Sequence, residues 1–293
     1  MSQLINGRVL AEKIKDQLKL RLSQLDKVPC LAMVSVGKNP ASEVYLKHKI
    51  KACNQLGIES KEVFLAEKIQ EEDLIRKIEQ LNNDSTVDAV LIQLPLPEQI
   101  QFKNVMLHLD PEKDVDCLHP LNFGQLCLIE KNGLNLNDQL LPCTPRGIIH
   151  LFNSLNLNLS GQKVVIVGRS NLVGKPLSNL LVIMGATVTL CHSQTKNLTD
   201  ETRQADILIS AVGRPGLITA PMVKPGAIVI DVGITRVNDR LLGDVDFESV
   251  KDKVQAITPV PGGVGPMTIA SLLENTLLLV ERKRKSQVLS IKN

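Results

Sequence analysis

The chain has no tryptophan, one tyrosine (Tyr45) and five phenylalanines, so aromatic residues make up 2% of its 293 positions. Its core must therefore be aliphatic, and a hydrophobic share of 43% is enough to build one. Net charge is almost absent: 34 basic and 31 acidic residues leave +3. That balance argues against nucleic acid or a membrane surface as a partner. No apolar run approaches the roughly 18 residues of a spanning helix, and Met1-Ser-Gln-Leu-Ile-Asn6 is too short and polar for the apolar part of a signal peptide. The six cysteines never form CxxC, and the five histidines form neither HxxxH nor HExxH. Neither a metal site nor a disulfide framework is expected, and a cytoplasmic location fits best. The one basic run, Arg282-Lys-Arg-Lys285, reads as a solvated helix end beside the negative pole of its dipole.

What is present is an alternation. Leu10, Ile14, Leu18, Leu22 and Leu25 recur at helical spacing, which predicts a helix over 8–25. Cys30–Val36 reads as a buried strand, Ala41–Leu56 as a helix stopped by Gly57, and Val63–Leu65 as a strand. Leu74, Ile75, Ile78 and Leu81 mark a further helix, and Asp88–Leu94 a strand running into Pro95-Leu-Pro97. Residues 110–141 lack periodicity and read as an inter-domain segment. Thr144 as N-cap and Pro145 behind it start the next helix. A second series follows: strand Lys163–Val167, helix 172–184, and strands Thr187–Leu190, Ile207–Ala211 and Ile228–Asp231. The order predicts an α/β fold of two domains, each with a parallel sheet under helices. The first comprises 1–141 plus 269–293, because the helix predicted over Pro266–Val280 can pack back on it. The second, 142–268, is Rossmann-like, with a cleft between the two.

Val164-Val-Ile-Val-Gly168-Arg-Ser-Asn-Leu-Val-Gly174 is a strand entering a glycine turn that opens a helix. Such turns bind dinucleotide pyrophosphates at the helix N-terminus. The match to GxGxxG is imperfect, with Ser170 at the second glycine and Gly174 one residue late. NAD sites place an acid about 20 residues further on. Here that stretch is Thr189-Leu-Cys-His-Ser193, without a carboxylate, and Arg169 lies in the loop. A cation with nearby hydroxyls suits a 2′-phosphate, so NADP is expected over NAD. Two further glycine turns, Val212–Gly216 and Asp231–Ile234, follow strands and would lie at the same sheet edge.

Tyr45 and Lys49 stand four residues apart and share a helix face. YxxxK also marks short-chain dehydrogenases, but there the glycine loop comes first; here Tyr45 precedes Gly168. The motifs together resemble a different family, the bifunctional methylenetetrahydrofolate dehydrogenase/cyclohydrolases. The resemblance rests on Val36-Gly-Lys-Asn-Pro-Ala-Ser42 with Tyr45, Lys49 and Lys51; Ile92-Gln-Leu-Pro-Leu-Pro97; Pro111-Glu-Lys-Asp-Val-Asp116; Pro142-Cys-Thr-Pro-Arg-Gly147; Gly168 through Pro176; and Thr258 through Thr268. It covers nearly the whole chain. Cys117 stands where the family usually has glycine, and Gln125 where it usually has arginine.

The resemblance implies oxidation of 5,10-methylenetetrahydrofolate with NADP, then hydration of the methenyl product to 10-formyltetrahydrofolate. It also implies a homodimer. In that reading Tyr45 stacks on the aminobenzoyl ring, since a flat ring needs a flat partner. Lys49 handles the proton of hydration, because a second positive charge beside a cationic carbon is costly and a neutral amine is favoured there. Gln93 holds that amine, Asp116 anchors the pterin's amino group and ring nitrogen, and Pro261 and Gly262 close over the pterin edge. Thr144, Gly168, Arg169, Ser170, Ser193 and Ile234 line the cofactor. A dehydrogenase lacking the hydrolase step and a non-catalytic dinucleotide sensor are the alternatives; Lys49 and Gln93 speak against the first, and Tyr45, Lys49, Gln93 and Asp116 together against the second. Because Tyr45 is the sole strong emitter, saturating folate should quench the protein's tyrosine fluorescence, after correction for folate absorption. Unchanged emission at saturation would contradict stacking.

Overall fold

A short aliphatic run cannot stay in water, and its backbone groups cannot be buried unpaired, so each run joins a sheet. The computed structural model describes residues 2–131, 133–238 and 240–291. In chain order its elements are β1 (Gln3–Leu4), α1 (Gly7–Leu22), β2 (Cys30–Val36), α2 (Pro40–Leu56), β3 (Glu59–Leu65), α3 (Glu71–Asn83), β4 (Ala89–Ile92), α4 (Phe102–His108), α5 (Pro120–Cys127) and α6 (Cys143–Ser154). Then come β5 (Lys163–Val167), α7 (Gly174–Ile183), β6 (Thr187–Cys191), α8 (Leu198–Thr202), β7 (Ile207–Ser210) and β8 (Ile228–Asp231). β9 (Thr235–Val237), β10 (Arg240–Leu242), α9 (Phe247–Val250), β11 (Ala256–Ile257) and α10 (Val264–Ile291) complete the chain.

One compact unit holds Ile14–Gln125, Leu136–Cys143 and the chain from Ser271. Its sheet is parallel throughout, in the order β3-β2-β4. The central strand β2 is covered on both faces, and all of it but Ser35 is buried. That is why Cys30–Val36 reads as an unbroken aliphatic run. β3 is an edge strand carrying exposed Glu59, Lys61 and Glu62, charges that discourage further pairing. They also hid the start of the strand, so that the sequence pattern predicts only its last three residues, Val63–Leu65. α3 buries Leu74, Ile78 and Leu81 and places Glu71, Glu72 and Asp73 in its first turn, where the helix dipole favours acids.

The other unit holds the chain up to Lys13, Leu126–Asn135 and Thr144–Ala270. Its six strands run parallel in the order β1-β11-β8-β7-β5-β6, and β9 and β10 form a separate antiparallel hairpin. β1 sits here because Gln3 and Leu4 pair with Ala256 and Ile257. A two-residue strand has no period to read, so the sequence placed it with residues 1–141 instead. The division falls inside α1 after Lys13 and inside α10 after Ala270, not between elements. The segment 110–141, expected to be irregular, contains α5. α6 begins at Cys143, so Thr144 stands inside its first turn and does not cap it.

Close backbone approach fixes the start of α1. A Cβ on Gly7 would lie 1.9 Å from the Gly263 carbonyl oxygen, and Arg8 N–H donates to the Gly262 carbonyl at 3.1 Å. Alanine normally improves a helix by about 1 kcal/mol over glycine. Here Gly7→Ala should instead destabilise by about 1–3 kcal/mol through overpacking. Urea unfolding measures it, and a raised midpoint would contradict the packing.

Candidate active site

α2 presents Tyr45 and Lys49, one turn apart and both half-buried. The lysine Nζ donates to Gln93 Oε1 at 2.9 Å. Gln93 follows β4, and its own N–H continues the sheet by donating to the Val34 carbonyl at 2.8 Å. Its Nε2 donates to the Leu94 carbonyl at 2.8 Å, which also accepts Ser42 Oγ from α2 at 2.9 Å. The amide is therefore fixed with its oxygen toward the amine. The Leu94–Pro95 and Val260–Pro261 peptides are cis. Burial pushes the Tyr45 phenol up, opposite to what a phenolate base requires and suited to a neutral stacking ring. Cys53, the next residue along this face, is pushed up to about 12 by burial and is inert.

The second feature is the loop Lys113–Asp116. Val90 N–H donates to the Lys113 carbonyl at 2.7 Å, which lays the segment against β4. Lys113 Nζ donates to the carbonyls of Leu81, Asn82 and Asp84 at 2.8, 2.7 and 2.8 Å. A cation thus caps the negative end of α3. Asp114 is 1% exposed, and its Oδ2 accepts His119 N–H at 2.8 Å and Asn122 Nδ2 at 2.9 Å. Burial pushes its carboxyl up to about 6, with those donors opposing the shift. Asn275 on α10 donates from Nδ2 to the carbonyls of Val115 and Leu141, both at 2.7 Å. The two aspartates of one motif differ: Asp114 is buried and bonded within the loop, and Asp116 is half-buried. Cys117 adopts φ 56°, a left-handed conformation that explains why glycine is usual there. Its buried Sγ donates to the Leu140 carbonyl at 3.4 Å.

In the six-stranded unit, β5 ends at Gly168, whose φ is 128°. A Cβ there would meet the Ala211 carbonyl oxygen at 2.4 Å, and one on Gly174 would meet the Gly168 oxygen at 1.9 Å. The turn is drawn tight over the strand end, as a pyrophosphate cradle requires. Val173, at the N-cap of α7, supplies no side-chain cap, so the helix pole faces the loop. Ser170 Oγ accepts Val173 N–H at 3.1 Å. The exposed Arg169 guanidinium reaches the tip of β6, donating from Nη2 to Gln194 Oε1 at 3.4 Å beside exposed Ser193. These groups fit a nucleotide with a 2′-phosphate. Thr144 Oγ1 lies 3.1 Å from Thr268 Oγ1, and Gly262, at φ 109°, follows exposed Pro261. Ile234 is half-buried in the loop after β8.

Thus Lys49 and Gln93 meet directly. Among the described residues no hydrogen bond joins Asp116 to that pair. Tyr45, Lys49, Gln93 and Asp116 belong to the three-stranded unit; Thr144, Gly168, Arg169, Ser170, Ser193, Ile234, Pro261 and Gly262 belong to the six-stranded one. Lys113, Asp114, Asn275 and Gln194 were not expected. The first two lie inside a motif already singled out, but no local pattern there marks either as buried. Among the described residues, no group of three or more His, Cys, Asp or Glu side chains is arranged to hold a metal ion.

Residues 5–116 match the description "Tetrahydrofolate dehydrogenase/cyclohydrolase, catalytic domain", and 142–284 match its "NAD(P)-binding domain". A "Bifunctional protein FolD" from a Sulfurihydrogenibium species is 51% identical over 285 residues, covering 96% of this chain and 98% of that protein. One from Halalkalibacterium halodurans is 50% identical, covering 94% and 97%. The crystal structure of the bifunctional enzyme FolD from Campylobacter jejuni superposes with a TM-score of 0.91 at 45% identity, covering 97% of this chain and 100% of that one. The Trypanosoma brucei enzyme, solved with NADP cofactor and an inhibitor, gives 0.91 at 36% identity, covering 96% and 98%.

Arg169→Ala should raise the KM for NADP about tenfold, the scale of one lost charge-assisted hydrogen bond, and leave the KM for NAD unchanged. Parallel kinetics with both nucleotides measure the ratio. An equal effect on the two would contradict a 2′-phosphate contact.

Proposed function

The chain belongs to the tetrahydrofolate dehydrogenase/cyclohydrolase family, and we propose how its own side chains divide the two reactions. The enzyme oxidises 5,10-methylenetetrahydrofolate with NADP to the 5,10-methenyl form and hydrolyses that to 10-formyltetrahydrofolate. The observation that carries the reading is the 2.9 Å bond that fixes the Lys49 amine on the amide oxygen of Gln93. Beside it stands Tyr45, the only tyrosine in the chain.

NADP, when bound, supplies the acceptor for the hydride. The protein's part in that step is positioning, which is worth several orders of magnitude in rate. Tyr45 offers a neutral ring to the aminobenzoyl group, and Asp116 accepts paired hydrogen bonds from the pterin edge. Pro261 and Gly262 border the pterin. Thr144, Gly168, Arg169, Ser170, Ser193 and Ile234 hold the nucleotide, with Arg169 and Ser193 on its 2′-phosphate.

In the second step water adds to the methenyl carbon and loses a proton to Lys49. Collapse of the adduct forms the formyl C=O and breaks the bond from carbon to N5. N5 takes up a proton, and overall one proton leaves to solvent. Gln93 directs the amine, since its Nε2 is occupied by the Leu94 carbonyl and only its oxygen faces Lys49. The homodimer implied by the resemblance, a cytoplasmic location and the supply of formyl groups for purine synthesis belong to the same reading. Support comes from family matches over residues 5–116 and 142–284 and from the cysteine and charge usage of the sequence.

Lys49→Ala should lower hydrolysis of methenyltetrahydrofolate about 10²-fold, the usual scale for a lost general acid–base group, while folate still quenches Tyr45. Hydrolysis at the wild-type rate would contradict the role of Lys49.

A further inference from the structure

Two buried carboxylates in the six-stranded unit have no part in the chemistry above. Asp231 closes β8 and is 3% exposed; Asp244 is fully buried. Between them the chain makes an excursion: the Val232–Ile234 loop, the hairpin β9–β10 and the return at Gly243. Asp231 holds both ends of that excursion, and Asp244 ties its far end to β7 and the loop that follows it. Asp231 Oδ1 accepts the N–H groups of Gly233 at 3.0 Å and Asp244 at 2.9 Å, and its Oδ2 accepts Val245 N–H at 2.9 Å. Asp244 Oδ2 accepts Ser210 Oγ at 3.0 Å and Val212 N–H at 2.7 Å, and its Oδ1 accepts Arg214 N–H at 2.8 Å.

The surrounding glycines are shaped to these contacts. A Cβ on Gly233 would lie 2.2 Å from Asp244 Oδ1, and one on Gly243 would lie 1.9 Å from Asp231 Oδ2. Thr235 Oγ1 adds a tie to the Gly213 carbonyl at 3.1 Å. The clasp therefore fixes the loop after β7 and the loop after β8 against each other. β8, β7 and β5 are adjacent and parallel, so both loops emerge at the edge where Gly168 turns, the edge at which doubly wound sheets bind ligands. Six donors converge on two side chains whose removal would leave buried N–H groups unpaired.

We infer that Asp244, clasped with Asp231, is a positioning residue for the nucleotide: it sets the main chain of Val212–Arg214 and of Gly233–Ile234 that NADP meets. The inference rests on the nucleotide site proposed above. It predicts a split between the two activities, because hydrolysis of methenyltetrahydrofolate needs no nucleotide.

The test is Asp244→Asn, which turns one acceptor oxygen into an amide donor facing N–H groups. Calorimetric titration with NADP should show Kd raised at least about tenfold, the scale of one charged hydrogen bond. Hydrolysis of methenyltetrahydrofolate, assayed without nucleotide, should stay within about twofold, the spread expected at an uncoupled site. Unchanged Kd would overturn the inference, as would parallel loss of both activities in a folded variant. If Asp244→Asn does not fold, Ser210→Ala removes a single donor, and a Kd for NADP equal to wild type in that variant would overturn it equally. Failure of the nucleotide site itself would show in the wild type, as no NADP binding at all.

Discussion

Parallel strand direction is the constraint on which the rest depends. In a parallel sheet every strand delivers its next loop to the same edge. β2 and β4 are neighbours, with Val34 opposite Ile92. The chain leaving β2 enters α2, and the chain leaving β4 begins with Gln93. A lysine on the helix and an amide past the strand therefore meet without either being adjacent in sequence. The same rule in the six-stranded sheet gathers the turns after β5, β7 and β8.

Loops gathered at one edge must carry buried backbone polar groups, and each must be satisfied. The protein solves this repeatedly with an acidic or amide side chain turned inward. Asp114 and Asn275 do it around Asp116; Asp231 and Asp244 do it around Ile234. In both places the inward group satisfies the main chain of the turn beside it. Glycine is the second half of the device. At Gly174 and Gly243 a side chain would collide with an oxygen 1.9 Å away, so the loops close more tightly than any other residue allows.

Much of this was legible in the sequence. The β2 run and the Leu74, Ile78, Leu81 spacing announce themselves because both report burial by local pattern. Tyr45, Lys49, Gln93 and Asp116 stood out as motif residues. What escaped depends on distant partners. β1 is two residues long and is defined only by pairing with Ala256 and Ile257. α5 has no strong periodicity. Lys113 looks like a surface lysine until its three carbonyl partners are seen, and Asp114 looks interchangeable with Asp116. The meaning of Cys117 is a backbone angle, which composition does not encode.

The central claim is that Lys49 and Gln93 act as one unit in hydration. A double-mutant cycle tests it most directly. Gln93→Ala is made in the wild type and in Lys49→Ala, and kcat/KM for methenyltetrahydrofolate hydrolysis is compared across the four proteins. The account predicts strong coupling: loss of Gln93 lowers the rate when Lys49 is present and changes little when it is gone. Additive losses would show that the two side chains work independently, and would contradict the account.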